Sequence, residues 1–412
     1  MRIWILNHYA TESSAGGRHY NLSTELSKKG YEVSVFAAGF LHNQFNETRE
    51  YGNRIFDCEV IDGVKYIWLK TYPYDSNNWR RILNMISYAI RTYKVGRQET
   101  APEVIIASSV HPLTWISGYN LARKHGSRFI VEVRDLWPET LINMGAIGRN
   151  SIPALLMRQL EKYVYARAEK IITLLPDAYK YITTLGIEQN KIVYIPNGAN
   201  PEIYEIDNKS NQGFDDYLQK YPAFIDKSKF KVVYTGAHGV VNSLETAIQA
   251  AGILQNRGIE NINIIFVGAG PEKDNLIMMA DKLHLKNIVF CAQVARSNVP
   301  YILLCADCCL LLGKDIPLYQ YGISPNKLFD YLASSKPIVF AGNVANNIVD
   351  IAKCGITLPP ENPEKLADAL LELSKMPKCS LEEMGQNGQR YFIENHTYQT
   401  LADKLEREVI LV

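Results

Sequence analysis

Residues Tyr319 to Lys336 read YQYGISPNKLFDYLASSK, and the order of residue types in them decides the fold class. Gly322 permits a tight backbone, Ser324 is placed as an N-cap, and Pro325 suits the first helical position, where its missing N–H costs nothing. A helix is predicted to start there, with Leu328, Phe329, Tyr331 and Leu332 as its buried face. Its first turn offers unpaired N–H groups and the positive end of the helix dipole. Lys327 adds a full charge, so the turn suits an anionic diphosphate. Asp330 projects from the second turn, where a carboxylate accepts hydrogen bonds from ribose hydroxyls. An ordinary capped helix has the same local signature. The next segment separates the two readings: Lys336-Pro337-Ile338-Val339-Phe340 reads as a buried strand directly after the helix, which makes the turn part of a strand-helix-strand repeat.

The same alternation runs outward in both directions. Strands are predicted at Arg2 to Leu6, Glu32 to Ala37, Val104 to Ser108, Phe129 to Val133, Lys170 to Leu175 and Ile192 to Ile195, with helices such as Arg18 to Lys28, Leu113 to Lys124 and Ala154 to Ala168 between them. In the second half they fall at Lys231 to Thr235, Asn263 to Val267, Ile288 to Cys291, Cys308 to Leu312 and Pro337 to Phe340. A chain of 412 residues exceeds the size at which single cores stop growing. The expected architecture is therefore α/β, with two Rossmann-like doubly wound domains. The first domain is assigned residues 1–200 and the second 201–391. The polar stretch from Asn208 to Lys229 reads as a linker with short helical pieces, with a hinge near residue 200. A C-terminal helix, residues 392–412, is long enough to cross back to the first domain.

Composition narrows the class further. An apolar fraction of 47% and a charged fraction of 21% suit a soluble globular enzyme, and a net charge of +1 gives no support for a nucleic-acid partner. The N-terminus MRIWILNHY is too short in apolar residues for a signal peptide or membrane span, so a cytoplasmic location is expected. Seven cysteines without framework spacing point to reduced thiols. Cys305, Cys308 and Cys309 lie in ILLCADCCLLL with no partner cluster, so no metal site is expected.

A dinucleotide-binding dehydrogenase would carry G-x-G-x-x-G at a first turn. The nearest match, Gly268-Ala269-Gly270-Pro271-Glu272-Lys273, has lysine at the third glycine, which argues against nicotinamide chemistry. The pair Gly16-Gly17 opens the first predicted helix and either lets a diphosphate or sugar approach the backbone or is a structural turn. Ligands of open α/β sheets bind outside the carboxyl ends of strands, where Arg134 and Asp135 emerge in VEVRDLWPE. Arg134 is read as an ion-pair partner of Asp135 or Glu139, and Asp135 as an acceptor contact. His111, after the strand ending at Ser108, either touches substrate or caps and packs. The same choice holds for Asn197, followed by Gly198.

Taken together, these segments resemble the retaining glycosyltransferases of family four, which have the two-domain GT-B fold, over essentially the whole chain. The segments that carry the resemblance are Gly16-Gly17, KGYEV from Lys29, VRDLWPE from Val133, PNGAN from Pro196, YTGAHG from Tyr234, VGAGPE from Val267 and SPNKLFDYLASSKP from Ser324. VRDLWPE with SPNKLFDYLA is most similar to the bacterial branch that builds O-antigens and exopolysaccharides, including N-acetyl-L-fucosaminyl transferases. The resemblance implies an interdomain cleft, a nucleotide-diphosphate sugar donor, UDP-linked, and a saccharide acceptor, lipid-linked. It implies no metal and no other cofactor. It also implies donor contacts from Gly16, Gly17, Asn197, Gly236, His238, Val294, Arg296, Gly322, Ile323, Ser324, Asn326, Lys327, Leu328 and Asp330, with Lys327, Asp135 and His111 as the catalytic set. Retention in that family is thought to need no protein nucleophile, the leaving phosphate itself taking the acceptor proton.

The chain departs from that pattern in two places. Gly322 and Asp330 stand where the family usually carries two glutamates, and Ala237 and Asn242 where many relatives place cations on the donor phosphates. Lys327 and its helix N-terminus then carry more of the leaving-group charge, with His238 and Arg296 as candidates to assist. Three rivals share the fold: a sugar-nucleotide 2-epimerase, a hydrolase or phosphorylase, and a non-catalytic sugar-nucleotide-binding module. Finally, Trp79 to Arg97 reads as a basic amphipathic helix, with Ile82, Met85, Ile86, Ala89 and Tyr93 on one face and Arg80, Arg91 and Lys94 around the other. It either contacts an anionic membrane peripherally or packs its apolar face into the core.

Overall fold

The computed structural model describes residues 1–11, 17–42, 44–76, 78–109, 111–204 and 212–412. The chain divides into two compact units, Met1–Pro196 with Tyr398–Val412, and Asn197–Thr397.

The first unit is built on β1 (Arg2–Leu6), β2 (Glu32–Ala38), β3 (Phe56–Ile61), β4 (Val64–Leu69), β5 (Val104–Ser108), β6 (Arg128–Val133), β7 (Lys170–Thr173) and β8 (Ile192–Tyr194). They form one sheet in the order β8-β7-β6-β5-β1-β2-β4-β3. Every described pairing is parallel except β3 against β4. Its central strands are continuous apolar runs because helices cover both faces, as parallel sheets require. The principal helices are α1 (Arg18–Lys28), α2 (Trp79–Gly96), α3 (Leu113–His125) and α4 (Ile152–Arg167). Local chemistry sets their ends. Asn78 caps α2 by accepting from the Arg80 N–H, Ser151 caps α4 by accepting from Ala154, and Gly126 closes α3 in the left-handed region at φ 68°.

The second unit contains β9 (Phe230–Thr235), β10 (Ile262–Val267), β11 (Ile288–Cys291), β12 (Cys308–Leu312), β13 (Ile338–Ala341) and β14 (Gly355–Leu358), all parallel, in the order β11-β10-β9-β12-β13-β14. Its helices are α5 (Gln212–Lys220), α6 (Leu244–Asn256), α7 (Lys273–Lys282), α8 (Asn326–Ala333), α9 (Pro363–Lys375) and α10 (Lys378–Asn395). Alternate residues of each strand feed separate cores. Val233, Ile265, Cys309 and Ile338 pack on one face, and Val232, Ile264, Cys308 and Val339 on the other.

After α10 the chain returns to the first unit as α11 (Tyr398–Leu405), whose Tyr398, Leu401, Ala402 and Leu405 join the core beneath α1. Lys29 fixes this return through Asp403 at 2.6 Å and Glu406 at 2.5 Å.

One expectation needs correction, and one open choice is decided. The stretch read as a linker is partly structural: Phe214 of α5 and Phe224 are buried in the second unit's core, and the Tyr217 hydroxyl donates to the Ala292 carbonyl. The helix α2 does not bury its apolar stripe. It packs through Asn84, Tyr88, Thr92 and Val95, and leaves Ile82, Ile86 and Tyr93 exposed.

Candidate functional site

In open α/β sheets ligands bind beyond the carboxyl ends of the strands, favourably where successive connections leave in opposite directions and the loops part. In the first unit this lies between β1 and β5. Among the described residues a recess of about 400 Å³ is lined by Tyr9, Ala10, Thr11, Gly17, His19, Ser109, Arg134 and Asp135. Gly17 has an ordinary extended backbone and nothing within 4 Å of the position a Cβ would take, so the glycine leaves open space rather than relieving strain. Gly16 lies outside the described residues.

Asp135 stands exposed at the rim. The packed groups around it push its carboxyl pKa up while Arg134 opposes, and its access to water limits the shift. Of the two partners read for Arg134, Glu139 is taken by Arg158 at 2.7 Å and Arg149 at 3.5 Å, while Asp135 feels the Arg134 charge. Arg134 donates its N–H to Ser109 Oγ and turns its side chain to the recess.

His111 is a correction. Its ring is buried, shares a hydrogen bond of 2.9 Å with His8 and is not among the recess-lining residues. Burial, with Arg81 nearby, pulls its pKa to about 3, so it stays neutral.

The histidine that does line the recess is His19, one residue into α1. Its Nε2 lies 2.8 Å from Glu132 Oε2 and 2.9 Å from Ser108 Oγ. Glu132 also accepts from Arg18 Nε at 2.7 Å, and Arg18 donates to the Pro196 carbonyl. Burial alone would raise the Glu132 pKa, but Arg18 and His19 hold it well below the usual carboxylate range. Sequence reading missed this cluster. The available signal was a glutamate inside the apolar run of β6, since a buried charge demands a partner.

In the second unit the recess lies beyond β9, β10 and β11. It is about 300 Å³ and is lined by Thr235, Gly236, Ala237, Val267, Gly268, Ala269, Gln293, Val294, Arg296 and Val299. Two loops meet there at backbone distance: the His238 N–H donates to the Ala269 carbonyl at 2.9 Å, and a Cβ on Gly268 would fall 2.0 Å from the Gly236 carbonyl oxygen. Only glycine fits at 268, so the close approach of the two loops accounts for the glycine there. His238 is fully buried beside Phe266 and Phe290. Burial, then Lys273 and Lys327, lowers its pKa to about 4, so it supplies no positive charge near neutrality.

The turn into α8 differs from its reading in three respects. Pro325, not Ser324, occupies the cap position, and the Ser324 hydroxyl accepts from the Asn197 N–H at 2.8 Å while Asn197 Nδ2 donates to the Ser324 carbonyl at 2.7 Å. Asn197 thus braces the turn. The Ile323 N–H, expected to be available to a sugar, donates to Asn346 Oδ1 at 2.9 Å. Asp330 is buried, clasped by both arms of Arg296 at 2.5 Å and by the Tyr204 hydroxyl at 2.6 Å, so its carboxylate does not stand open to ribose hydroxyls. Gly322 does adopt a left-handed backbone, at φ 101°, Asn326 is exposed, and Leu328 is core.

Lys327 has no carboxylate partner among the described residues. Its Nζ donates to Tyr234 Oη at 2.6 Å and Asn242 Oδ1 at 2.8 Å, both uncharged, and burial lowers its pKa to about 7. A Cβ on Gly236 would lie 3.4 Å from Nζ, which places the amine against the wall of the recess. In the first turn of α8 the Leu328 N–H donates to the Pro325 carbonyl at 3.1 Å, and the Asn326 and Lys327 N–H groups stand at the positive end of the dipole. Among the described residues no three His, Cys, Asp or Glu side chains converge as a metal-binding group.

Residues 15–198 match the glycosyl transferase 4-like domain family, and residues 229–376 match the glycosyl transferases group 1 family. The chain is a family-four-type glycosyltransferase. The glycosyltransferase is 23% identical, over 92% of its length and 93% of the relative's, to WcaI of Escherichia coli (strain K12), a glycosyl transferase assigned by name to colanic acid biosynthesis. Its fold is GT-B. Sucrose-phosphate synthase from Thermosynechococcus elongatus superposes with a TM-score of 0.74 at 14% identity, covering 100% of this chain and 99% of that one. HepE of Anabaena, solved with UDP and glucose, gives 0.70 at 12% identity over 100% of both. No described helix is long and apolar enough to cross a membrane.

Proposed function

We propose that the protein transfers a sugar, with retention of anomeric configuration, from a UDP-linked donor to a lipid-linked saccharide acceptor during surface polysaccharide synthesis, working peripherally at the inner membrane face. The observation that carries the donor reading is Lys327, an ammonium held by two neutral oxygens at a helix start beside a glycine-lined recess. Its charge is not spent on a carboxylate partner, so an arriving diphosphate gains the full interaction. The UDP and glucose of HepE and the colanic acid assignment of WcaI support the donor class and the pathway class.

In this reaction the bond from the anomeric carbon to the diphosphate oxygen breaks and a bond to the acceptor oxygen forms on the same face. The acceptor proton passes to the departing phosphate oxygen. Lys327 and the α8 amides stabilise the leaving group by electrostatic preorganisation, without a divalent metal. The first unit's recess orients the acceptor, with Asp135 accepting from one of its hydroxyls and His19 fixed by Glu132.

The test begins with thermal-shift screening of UDP-, GDP- and dTDP-sugars, because a ligand that binds only the folded state raises its stability. Transfer from the best donor to a lipid-diphosphate sugar is then followed by NMR of the product. Absence of any UDP-sugar shift, or an inverted anomer, would overturn the corresponding part of the reading.

A further inference from the structure

An apolar helix face normally turns inward, yet α2 turns its apolar face out. Trp79, Ile82 and Ile90 are 63%, 57% and 60% exposed, and with Ile86 and Tyr93 they recur at helical spacing. A second stripe runs along α4, where Ile152 and Leu156 are 74% and 65% exposed and Leu155 and Tyr163 are also open. The helix α3 packs against both α2 and α4 on this side of the sheet. Tyr119 of α3 meets Tyr163 of α4 edge-on at 6.0 Å, and the Arg167 guanidinium lies 3.5 Å over the Tyr163 ring. Scattered exposed apolar residues are ordinary on protein surfaces, but a stripe at helical spacing on each of two helices that flank α3 is not.

The exposed charge carried by the three helices is of one sign, although Arg80 also approaches Asp75, just ahead of α2, at 3.6 Å. Arg80 and Lys94 of α2, Arg123 and Lys124 of α3, and Lys162 and Arg167 of α4 are exposed. The three helices contain a single acidic residue, Glu161, which is buried and accepts from the Tyr165 and Tyr181 hydroxyls.

We propose that α2, α3 and α4 together form a docking surface for an anionic lipid bilayer, with the two apolar stripes entering the headgroup boundary and the basic residues meeting anionic headgroups. This deepens the proposed function, since it rests on the reading that the acceptor is held in a membrane. Charge chooses the occupant. A two-fold dimer through this face would set the same basic residues against one another, and a nucleic acid would leave exposed isoleucines and leucines against phosphate. A bilayer of anionic lipid answers both features, and tyrosine, tryptophan and arginine suit its interface.

The test is co-sedimentation of the full chain with vesicles of phosphatidylcholine alone and of phosphatidylcholine mixed with phosphatidylglycerol. Two paired variants are compared, Ile82→Ser with Ile86→Ser on α2, and Leu155→Ser with Leu156→Ser on α4. All four side chains are open or partly open to solvent, so unchanged circular dichroism and unfolding temperature are the controls for folding. The expected result is binding to the mixed vesicles, weaker binding to the neutral ones, and a loss of about tenfold or more in each variant. No binding to mixed vesicles overturns the surface, and equal binding to neutral vesicles overturns its electrostatic part. A loss confined to the α2 pair removes α4 from it. Lipid-free dimerisation abolished by the same substitutions assigns the face to a second copy instead. UDP thermal shift is measured in parallel. Vesicle binding without any nucleotide shift would sink the transferase reading and leave the docking surface standing, and the reverse result would do the opposite.

Discussion

If Lys327 must be charged to hold a diphosphate, nucleotide affinity has to depend on pH in a specific direction. In the free protein its pKa is about 7, because its surroundings are poor in water and its two partners are neutral. At pH 8 about a tenth of the molecules then carry the charge. A bound diphosphate restores the pKa, so binding takes up a proton, and UDP affinity falls about tenfold for each pH unit above 7. The nucleotide's terminal phosphate is already ionised in that range, which leaves the lysine as the titrating group. Calorimetry of UDP binding at pH 7, 8 and 9, repeated in buffers of different ionisation enthalpy, reads both the affinity and the proton count. Replacing Asn242, whose Oδ1 lies 2.8 Å from Nζ, by aspartate raises the lysine pKa and flattens the profile. Lys327→Ala lowers turnover about a hundredfold, or about 2.7 kcal/mol of transition-state stabilisation. A wild-type affinity that is constant from pH 7 to 9 with no proton uptake would refute the reasoning.

Three further outcomes are expected. Asp135→Ala leaves UDP affinity unchanged by calorimetry but strongly reduces transfer; abolished UDP binding in a folded variant, or intact transfer, counts against its acceptor role. Asp330→Asn costs about 3 kcal/mol in urea unfolding, because it leaves Arg296 without its buried carboxylate; undiminished stability with several-fold weaker UDP binding would return the carboxylate to the ribose. Glu161, whose pKa burial raises to about 8, stays protonated in the folded protein while the unfolded chain ionises, so it makes folding less favourable as pH rises from about 4.5 to 8. Glu161→Gln should therefore gain up to about 3 kcal/mol over wild type at pH 7 and little at pH 5, and parallel stability curves would exclude this.

The strands that sequence located best are those buried on both faces. Ile3–Leu6, Val104–Ser108 and Cys308–Leu312 are unbroken apolar or small-residue runs, which is the signature of a covered parallel sheet. The strands it passed over lie at or next to a sheet edge. Phe56–Ile61 and Val64–Leu69 form a hairpin at one edge, although Asp62 and Gly63 between them, at φ 49° and 80°, carry a recognisable turn signal. Gly355–Leu358, at the edge of the second sheet, is only partly buried along its length. Edge strands meet water on one side and so need no apolar run.

A helix beginning within a residue of Pro325, with Lys327 in its first turn, was legible because it follows from local backbone and residue type. The partners of the site's polar groups were not. Asp330 is held by Arg296, 34 residues away, and by Tyr204, 126 residues away, and Ser324 by Asn197 at a separation of 127. Periodicity reports which residues are apolar and how often they recur, so the chain by itself fixed two parallel-sheet units and the helix that begins at the turn. Which carboxylate meets which guanidinium, which histidine is buried, and that α2 turns its isoleucines outward depend on what packs beside each element, and only the tertiary structure decided them.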